Sequence, residues 1–349
     1  MARIAVALSG GVDSAMAAWL LGRQGHEVVG LSLSLGQGRD EAPGAGGAVA
    51  RQMGLEHQVV PAQREFADLV VRPSLEAYAR GTTPNPCARC NARVKFPLLW
   101  RAAQDLGCGA LATGHYARLV EDTTGRRLAE ASHRGKSQAY FLARLDQEML
   151  GRLVFPLGEL SKPQVRDMAR QAGLEAAQRP ESQDACFLPP GGWDELMAAH
   201  GLVRPGTVED QAGRVLATHG GLHRFTIGQR RGLGVALGQP AYVLALDGPR
   251  AAVRVGPAPG LFCQGLWGAA PRWFAPPPQG DGLTVRMRYA HQGVGCRVGE
   301  EGERLRVDFL EPQRAVAPGQ LAVFFHRGEV WGSAWITEAI HLKNNGITS

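Results

Sequence analysis

The sequence has few cysteines, no long hydrophobic run and little net charge for its length. Six cysteines among 349 residues are too few for a disulfide scaffold, and glycine and proline follow no collagen-like period. A net charge of +6 with 44% hydrophobic residues excludes disorder as the main state. The longest apolar runs, such as residues 15–21, fall far short of the ~20 residues that cross a bilayer.

The N-terminal residues enter a strand pattern at once, so no signal peptide is predicted. We therefore expect a cytoplasmic protein with no membrane association, in which the cysteines stay reduced unless chemistry oxidises them. At roughly 150 residues per domain, the length predicts two or three domains.

The basic charge is concentrated in the middle of the chain. Residues 201–255 carry seven arginines against three acidic residues, whereas the segments on either side are close to neutral. A polyanionic partner would account for this excess, and so would charge that merely keeps the protein soluble. Composition alone leaves both interpretations open.

Hydrophobic patterns predict an α/β fold for the first half of the chain. The continuous apolar run Ile4–Leu8 is typical of a buried parallel strand, residues 14–24 have helical spacing, and residues 27–35 form a second strand pattern. Strand, glycine turn, helix and strand make a βαβ unit. The alternation continues to about residue 171 and predicts a doubly wound parallel sheet.

The amino-acid composition changes after about residue 200, where glycine and proline become frequent. Short alternating runs there predict small β modules or barrels, at residues 241–246, 252–255, 283–289, 305–309 and 321–325. We predict a loop or linker at residues 271–282 and a frayed tail after Leu342. The predicted domains are an α/β domain (1–200), a small basic, β-rich central domain (201–258) and a C-terminal β-barrel (259–349).

The hexapeptide Ser9–Ser14 (Ser-Gly-Gly-Val-Asp-Ser) follows the first strand and opens the first helix. Glycines let the backbone approach a ligand closely, and free N–H groups at a helix start bind anions. The segment is neither a Walker A loop nor a Gly-x-Gly-x-x-Gly turn. It predicts a phosphate-binding loop, and the simpler alternative is a tight turn without a ligand.

Three cysteines lie in unusual surroundings. Cys87 and Cys90 form a Cys-x-x-Cys motif in a proline-containing loop that leads into a helical pattern, and Cys186 ends a polar loop. A helix start lowers the pKa of a thiol, and Arg89 and Arg93 would add to that effect. The other cysteines are predicted to be buried structural thiols: Cys108, Cys263 and Cys296.

A single Cys-x-x-Cys motif is compatible with a zinc site, a redox pair or a sulfur-transfer site. A zinc site lacks a second Cys-x-x-Cys or a histidine pair. An iron–sulfur cluster held by Cys87, Cys90 and Cys186, with one open iron position, is chemically feasible.

These motifs together carry a family resemblance. The hexapeptide resembles the PP-loop of the N-type ATP pyrophosphatases, and both cysteine loops resemble those of the tRNA-specific 2-thiouridylase family. Two positions depart from the family pattern, because Cys87 and Ser137 stand where the family often has aspartate. Cys87 either replaces that aspartate or joins a metal site. Further matches follow in order along the chain, at residues 112–116, 136–142, 225–234, 288–289 and 318–320.

The resemblance implies ATP-dependent thiolation of tRNA at C2 of the wobble uridine, U34. ATP, with Mg²⁺, would adenylate the uracil oxygen, and a persulfide on Cys186 would supply sulfur. Cys90 is the implied nucleophile, and the thiols would finish as a disulfide. Asp13 would help to place the metal or cap the helix. The implied partners are the tRNA anticodon stem-loop and a persulfide donor such as a cysteine desulfurase or a sulfur-relay protein.

The resemblance also implies two sets of binding residues. The ATP site would comprise Ala7, Leu8, Ser9, Gly10, Gly11, Val12, Asp13, Ser14, Leu33 and Gly114. The tRNA contacts would comprise Asn85, His115, Lys136, Ser137, Gln138, Arg230, Arg231, Arg288, Tyr289 and Gln320. For each tRNA contact taken singly, a structural or solvated side chain is the simpler interpretation.

Two other functions compete with this interpretation. One is a different PP-loop enzyme, such as a GMP or NAD synthetase, which would need neither the cysteine pair nor the basic β-rich half. The other is a non-catalytic RNA-binding protein with a degenerate loop, against which the intact hexapeptide and both cysteine motifs argue.

Overall fold

The structure is a computed structural model that describes residues 1–36, 41–123, 125–179, 185–235, 238–278 and 282–342. By its internal contacts the chain divides into two compact units. The first unit comprises Met1–Val71, Pro86–Pro189 and Arg327–Trp331, and the second comprises Arg72–Asn85, Pro190–His326 and Gly332–Ser349. The predicted tail after Leu342 lies outside the described residues.

Ten α-helices lie in the described part of the chain. They are α1 (Val12–Arg23), α2 (Glu41–Gln52), α3 (Gln63–Phe66), α4 (Arg72–Ala79), α5 (Pro86–Cys90), α6 (Phe96–Asp105), α7 (Ala139–Leu142), α8 (Gln147–Leu150), α9 (Lys162–Gln171) and α10 (Gly192–Ala199). Two π-helical turns, Ala67–Val71 and Asn91–Lys95, connect α3 to α4 and α5 to α6.

Seventeen β-strands are described. They are β1 (Arg3–Ala7), β2 (Glu27–Ser34), β3 (Glu56–Pro61), β4 (Ala110–Ala112), β5 (Ala117–Asp122), β6 (Gly125–Glu130), β7 (Leu153–Val154), β8 (Gly206–Glu209), β9 (Val215–His219), β10 (Tyr242–Asp247), β11 (Ala252–Gly256), β12 (Phe262–Trp273), β13 (Thr284–Arg286), β14 (Val294–Glu301), β15 (Arg304–Arg314), β16 (Leu321–His326) and β17 (Glu329–His341).

The first unit contains the predicted parallel sheet, with strand order β3-β2-β1-β4-β7. Every pairing in it is parallel, and β1 lies between β2 and β4. The central strands β1, β2 and β4 are apolar because both faces are covered, as the buried residues Ile4, Val6 and Leu111 show, whereas the edge strand β3 is mostly exposed. Small residues such as Ala15 and Ala18 let α1 pack closely against this core. The α/β prediction is confirmed.

The sequence pattern did not predict the antiparallel hairpin of β5 and β6 in the first unit. Its register is held partly by charge. The buried guanidinium of Arg127 donates to the carboxylates of Asp122 and Glu329, at 2.5 and 2.9 Å. Glu329 follows 202 residues after Arg127, so no local pattern could reveal this contact.

The second unit is built from β-strands, as predicted. A four-stranded sheet has the order β10-β11-β8-β9, with Val208, Val243 and Val253 fully buried in its core. The strands β12-β15-β14-β13-β16-β17 form a six-stranded barrel, which the pairing of β12 with β17 closes. Strand β12 runs to Trp273, so the predicted loop at residues 271–282 begins later than expected. Within the described residues no helix has the length and apolar character to span a membrane.

The core of the parallel sheet predicts a stability effect. Leu111 in β4 is fully buried between β1 and β7. Leu111→Ala therefore leaves a cavity in the core that water does not fill. We expect it to lower the free energy of unfolding by about 2–5 kcal/mol, as measured by urea denaturation. The matched control Leu69→Ala removes the same atoms from a side chain of the same unit that is 40% exposed. We expect the free energy of unfolding of this control to change by no more than about 0.5 kcal/mol. Equal losses of stability in the two variants would contradict the conclusion that Leu111 belongs to the core.

Candidate active site

The Ser9–Ser14 loop joins β1 to α1 in the arrangement that the sequence predicts. Gly10 has a φ of +79°, a left-handed conformation that glycine adopts without strain. The Ser14 hydroxyl donates to the Gly11 carbonyl oxygen at 2.9 Å and accepts from the Ser9 N–H at 3.2 Å. Gly11 at the N-cap position brings no capping side chain, so the amide groups at the start of α1 remain suited to an anion.

A lysine and a tyrosine hold the carboxylate of Asp13. The Lys162 ammonium donates to both oxygens, at 2.8 and 2.7 Å, and the Tyr116 hydroxyl donates to Oδ1 at 2.8 Å. Lys162 begins α9, where a capping box between Ser161 and Gln164 fixes the helix start. Asp13 therefore orients a nearly buried cation beside the loop. The sequence analysis missed Lys162 because it lies 149 residues from Asp13.

The strand end at residues 113–115 closes against this loop. A Cβ on Gly114 would lie 2.6 Å from the carbonyl carbon of Asp13, so only glycine fits there. A hydrogen bond of 2.8 Å joins Thr113 Oγ1 to His115 Nδ1. Burial, with a smaller contribution from Lys95, lowers the pKa of His115 to about 3. The imidazole is therefore neutral at physiological pH and serves as a hydrogen-bonding group.

A cavity of about 290 Å³ brings most of the predicted nucleotide site together with one of the two predicted catalytic cysteines. Predicted residues that line it are Ala7, Leu8, Ser9, Asp13, Ser14, Leu33, Gly114, His115, Gln138 and Cys186. Residues that the sequence analysis missed are Leu31, Leu35, Lys95, Leu99 and Thr113. Gly10, Gly11 and Val12 are not part of this lining, and Val12 is buried in the sheet's core.

The three notable thiols lie on two segments of the first unit. Cys87 is exposed on α5, whereas Cys90 at the end of the same helix is only 8% exposed. Cys186 is exposed, and the next residue, Phe187, is buried against Phe66 with ring centroids 5.4 Å apart. Residues 180–184 of the second cysteine motif lie outside the described residues.

The expected lowering of the thiol pKa is wrong. The pKa of Cys90 is raised to about 11, mainly by burial and in smaller part by the neighbouring Cys186 and Cys87. Lys95 opposes this shift through its charge and its backbone N–H. Cys87 reaches the surface, but the protein atoms packed around it still desolvate the thiol and raise its pKa, again opposed by Lys95. The Cys-x-x-Cys pattern did not show how deeply the helix would bury Cys90.

Two of the residues predicted to contact tRNA form hydrogen bonds to the main chain of the protein. The buried Ser137 hydroxyl accepts from the Ala131 N–H at 3.2 Å, and the Gln138 side chain accepts from the Tyr116 N–H at 3.0 Å. Gln138 nevertheless reaches the cavity, whereas Lys136 next to Ser137 is exposed.

The remaining predicted contacts lie in the second unit. Arg230, Arg231, Arg288 and Tyr289 are exposed, and Asn85 is buried. By contrast, the Gln320 amide donates to the carbonyl oxygens of Thr83 and Pro84, at 3.2 and 3.0 Å. The excess charge of the middle segment is partly neutralised, because Arg224 pairs with Asp194 at 3.0 Å. Across the described residues, no ion pair engages Arg230 or Arg231.

No cluster of three or more metal-ligating side chains occurs in the described ranges, although these include Cys87, Cys90 and Cys186. The three thiols are therefore not arranged here as a ready cluster site.

The fold and the site define the class of protein. Residues 2–190 match the family described as tRNA methyl transferase HUP domain, which covers the parallel sheet and all three notable thiols. Residues 194–257 match the tRNA methyl transferase PRC-barrel domain, and residues 263–336 match the aminomethyltransferase β-barrel domain. The chain is thus an α/β protein of the HUP class followed by two β domains.

Relatives then define the family. The chain is 42% identical to the tRNA-specific 2-thiouridylase MnmA of Trichlorobacter lovleyi, over 97% of this chain and 98% of that protein. It is 43% identical to the protein of the same name from Pelobacter propionicus, over 97% and 98%. The chain belongs to the MnmA family of tRNA-specific 2-thiouridylases.

A solved structure of a 4-thiouridine synthetase–RNA complex with bound ATP is also similar to the chain. It is 16% identical, with a TM-score of 0.36, over 56% of this chain and 50% of that chain. At this level the similarity carries no argument about the site.

The raised pKa of Cys90 predicts a pH dependence. Because only the thiolate reacts, iodoacetamide should label Cys90 about tenfold faster for each unit between pH 7 and 9, still far below its pKa. A free cysteine in solution should level off near its ordinary pKa of about 8.5. Peptide mass spectrometry measures both rates. A labelling rate of Cys90 that stops rising below pH 9 would contradict the raised pKa.

Lys95 predicts a second effect on the same thiol. Lys95→Met removes the positive charge that stabilises the thiolate, so the pKa of Cys90 should rise further. Labelling of Cys90 at pH 8.5 should then slow several-fold. The matched control is Lys136→Met, which removes an exposed lysine of the same unit and should leave the rate unchanged. Equal rates in both variants would show that Lys95 does not act on this thiol.

Proposed function

We propose that the protein transfers sulfur to C2 of the wobble uridine of tRNA in an ATP-dependent reaction that releases AMP and pyrophosphate. One observation carries the proposal: the Ser9–Ser14 loop and the Cys186 thiol line the same cavity. An activated base bound there would meet both the nucleotide and the sulfur. Membership of the MnmA family supports the same conclusion.

Activation comes first, because the oxygen on uracil C2 is a poor leaving group. Attack of that oxygen on the α-phosphorus of ATP gives an adenylated base and releases pyrophosphate. The amides at the start of α1 and the hydroxyls of Ser9 and Ser14 would bind the phosphates. The Lys162 ammonium, held by Asp13, would stabilise negative charge as it develops on the leaving pyrophosphate.

We propose that Mg²⁺ binds only together with ATP. Asp13 supplies the one carboxylate among the residues that line the cavity, and that carboxylate already accepts from Lys162 and Tyr116. The protein residues therefore do not form a magnesium site by themselves, and the nucleotide phosphates would supply most ligands. For an iron–sulfur cluster the described side chains do not fit as they stand, and no step is routed through one.

Sulfur transfer would use the two thiols in sequence. With a persulfide on Cys186, Cys90 attacks the inner sulfur and releases the terminal sulfur, which displaces AMP from C2. Alternatively, the persulfide attacks C2 and Cys90 then resolves the adduct. Either route produces a Cys90–Cys186 disulfide and 2-thiouridine. Cys90 is mostly protonated at neutral pH, so Lys95 helps by favouring its thiolate.

Recognition of tRNA would involve both units. The exposed side chains Lys136, Arg230, Arg231 and Arg288 suit phosphate contacts, and Tyr289 suits stacking on a base. The target base must leave its stack to reach the cavity, where neutral His115 and Gln138 could contact it. Ser137 and Gln320 would act mainly by holding the main chain, each within its own unit, and Asn85 is buried in the second unit.

The remaining expectations belong to this proposal. The division into residues 1–200, 201–258 and 259–349 would separate catalysis from two tRNA-binding domains. A cysteine desulfurase or sulfur-relay protein would load Cys186, and the cytoplasm supplies both the tRNA and the reductant that the reaction needs.

The test is nucleoside mass spectrometry after incubation of unmodified tRNA with the protein, ATP, Mg²⁺, a persulfide source and a reductant. We expect 2-thiouridine from the wild type and from Cys108→Ser, a control thiol that is buried, interacts with Arg3 and does not line the cavity. Cys90→Ser and Cys186→Ser should give none, while filter binding shows that both retain tRNA.

Two results would contradict this function. One is wild-type yield of 2-thiouridine in either cysteine variant. The other is AMP formation that requires an acid substrate and ammonia in place of tRNA and a sulfur source, which would indicate a different PP-loop enzyme.

A further inference from the structure

We propose that Cys87 is a further catalytic residue: a resolving thiol that opens the Cys90–Cys186 disulfide and forms a Cys87–Cys90 disulfide in its place. The inference rests on the proposed function, which generates the first disulfide. It assigns a role to the cysteine that stands where the family often has aspartate. Of the alternatives open for the Cys-x-x-Cys motif, it selects the redox pair.

The helix places the two thiols within bonding reach. Cys87 and Cys90 are three residues apart in α5, so both project from the same helix face. Helix geometry separates their Cα atoms by about 5 Å, inside the range of about 4.4–6.8 Å that a disulfide requires. Both are free thiols in the structure. A bond between them therefore needs only rotation of side chains and a small adjustment of one helical turn.

The third thiol lies in the same part of the first unit. Cys186 lines the cavity together with Lys95, and Lys95 acts on both Cys87 and Cys90. In agreement with this, the charge of Cys186 raises the pKa of both Cys87 and Cys90, and Cys87 raises the pKa of Cys90. Lys95 acts on Cys87 and Cys90 and would stabilise whichever of them is the thiolate.

Exposure lets an external dithiol reach a Cys87–Cys90 disulfide. Such a reductant must attack a disulfide sulfur in line, and Cys90 is only 8% exposed, whereas Cys87 and Cys186 are both exposed. Cys87 is exposed and offers such a sulfur at the surface of α5. Moving the disulfide onto Cys87 also returns Cys186 to the thiol form, in which it can accept the next sulfur.

The exchange balances without an added oxidant. The Cys87 thiolate attacks the Cys90 sulfur, the Cys87–Cys90 bond forms and the Cys90–Cys186 bond breaks. The electron pair leaves on Cys186, which takes up the proton that Cys87 lost. A dithiol reductant then reduces the Cys87–Cys90 disulfide and is itself oxidised to a disulfide.

The pH dependence follows from the same groups. Desolvation raises the pKa of Cys87, so little of this thiol is ionised at neutral pH. The exchange should therefore accelerate as the pH rises toward the pKa of Cys87. Lys95 opposes the shift, and Cys186 adds a smaller rise in the pKa of Cys87.

The first experiment uses the full-length protein without tRNA. The wild type, Cys87→Ser and the control Cys108→Ser are equilibrated in glutathione buffers, alkylated and mapped by peptide mass spectrometry. In the wild type and in Cys108→Ser, the Cys87–Cys90 disulfide should exceed the Cys90–Cys186 disulfide at least about tenfold. In Cys87→Ser, the disulfide should join Cys90 and Cys186. A wild type that forms only Cys90–Cys186 would overturn the inference.

The second experiment is a single turnover on unmodified tRNA with persulfide-loaded protein and no reductant. Wild type and Cys87→Ser should yield similar 2-thiouridine, but only the wild type should finish with Cys186 free to alkylate. With a dithiol reductant present, repeated turnover by Cys87→Ser should be slower by about tenfold, and Cys87→Asp should not rescue it. Rescue by aspartate would overturn the inference, because an acid–base role would then explain Cys87.

The two failures are distinguishable. If no preparation makes 2-thiouridine while the glutathione experiment still gives Cys87–Cys90, the proposed function fails and the thiol exchange stands. If the wild type makes 2-thiouridine but leaves Cys90–Cys186 as its disulfide, the exchange fails and the function stands. Anaerobic reconstitution that loads iron and sulfide onto all three thiols, with activity dependent on that iron, would also overturn the exchange.

Discussion

The parallel pairing of β1 with β4 is the constraint on which the site depends. It brings the carboxyl ends of the two strands to one edge of the sheet, so the Ser9–Ser14 loop and residues 113–115 face the same cavity. The approach is so close that Gly114 has no room for a Cβ beside the backbone of Asp13 and Ser14. The strand order of the sheet therefore forms the cavity, and the side chains that line it supply the charged and reactive groups.

Two lysines lie beside this site in a chain whose basic residues are otherwise almost all arginine, and Arg179 adds a third positive charge where it donates to the Gly10 carbonyl oxygen at 3.1 Å. Only four of the 38 basic residues are lysine. Lys162 binds the carboxylate of Asp13, and Lys95 lines the cavity and acts on the thiols. An ammonium group is a compact charge with three rotatable donors, which suits the small site proposed here for phosphates and sulfur.

The motif residues divide into those that line the cavity or the surface and those that form hydrogen bonds to the main chain. Gln320 and Ser137 lie in motifs that suggest tRNA contact, but their side chains bond the main chain of Thr83, Pro84 and Ala131. Lys136 beside Ser137 is exposed and keeps its charge at the surface. One short motif thus contains a residue that holds the main chain and a residue exposed at the surface. The sequence alone does not show which residue has which role.

Local patterns were enough to predict the βαβ start, the phosphate loop and the β-rich second half, because strand, turn and helix signals act over a few residues. The site residues Lys95 and Lys162 were missed, since their roles depend on contacts with distant parts of the chain. The direction of the thiol pKa shift was also wrong, because burial of Cys90 outweighs the nearby positive charge. The order of amino acids shows which reactive groups the protein carries. Which of these groups share a cavity depends on the folded chain, because desolvation and long-range pairing arise when the sheet assembles.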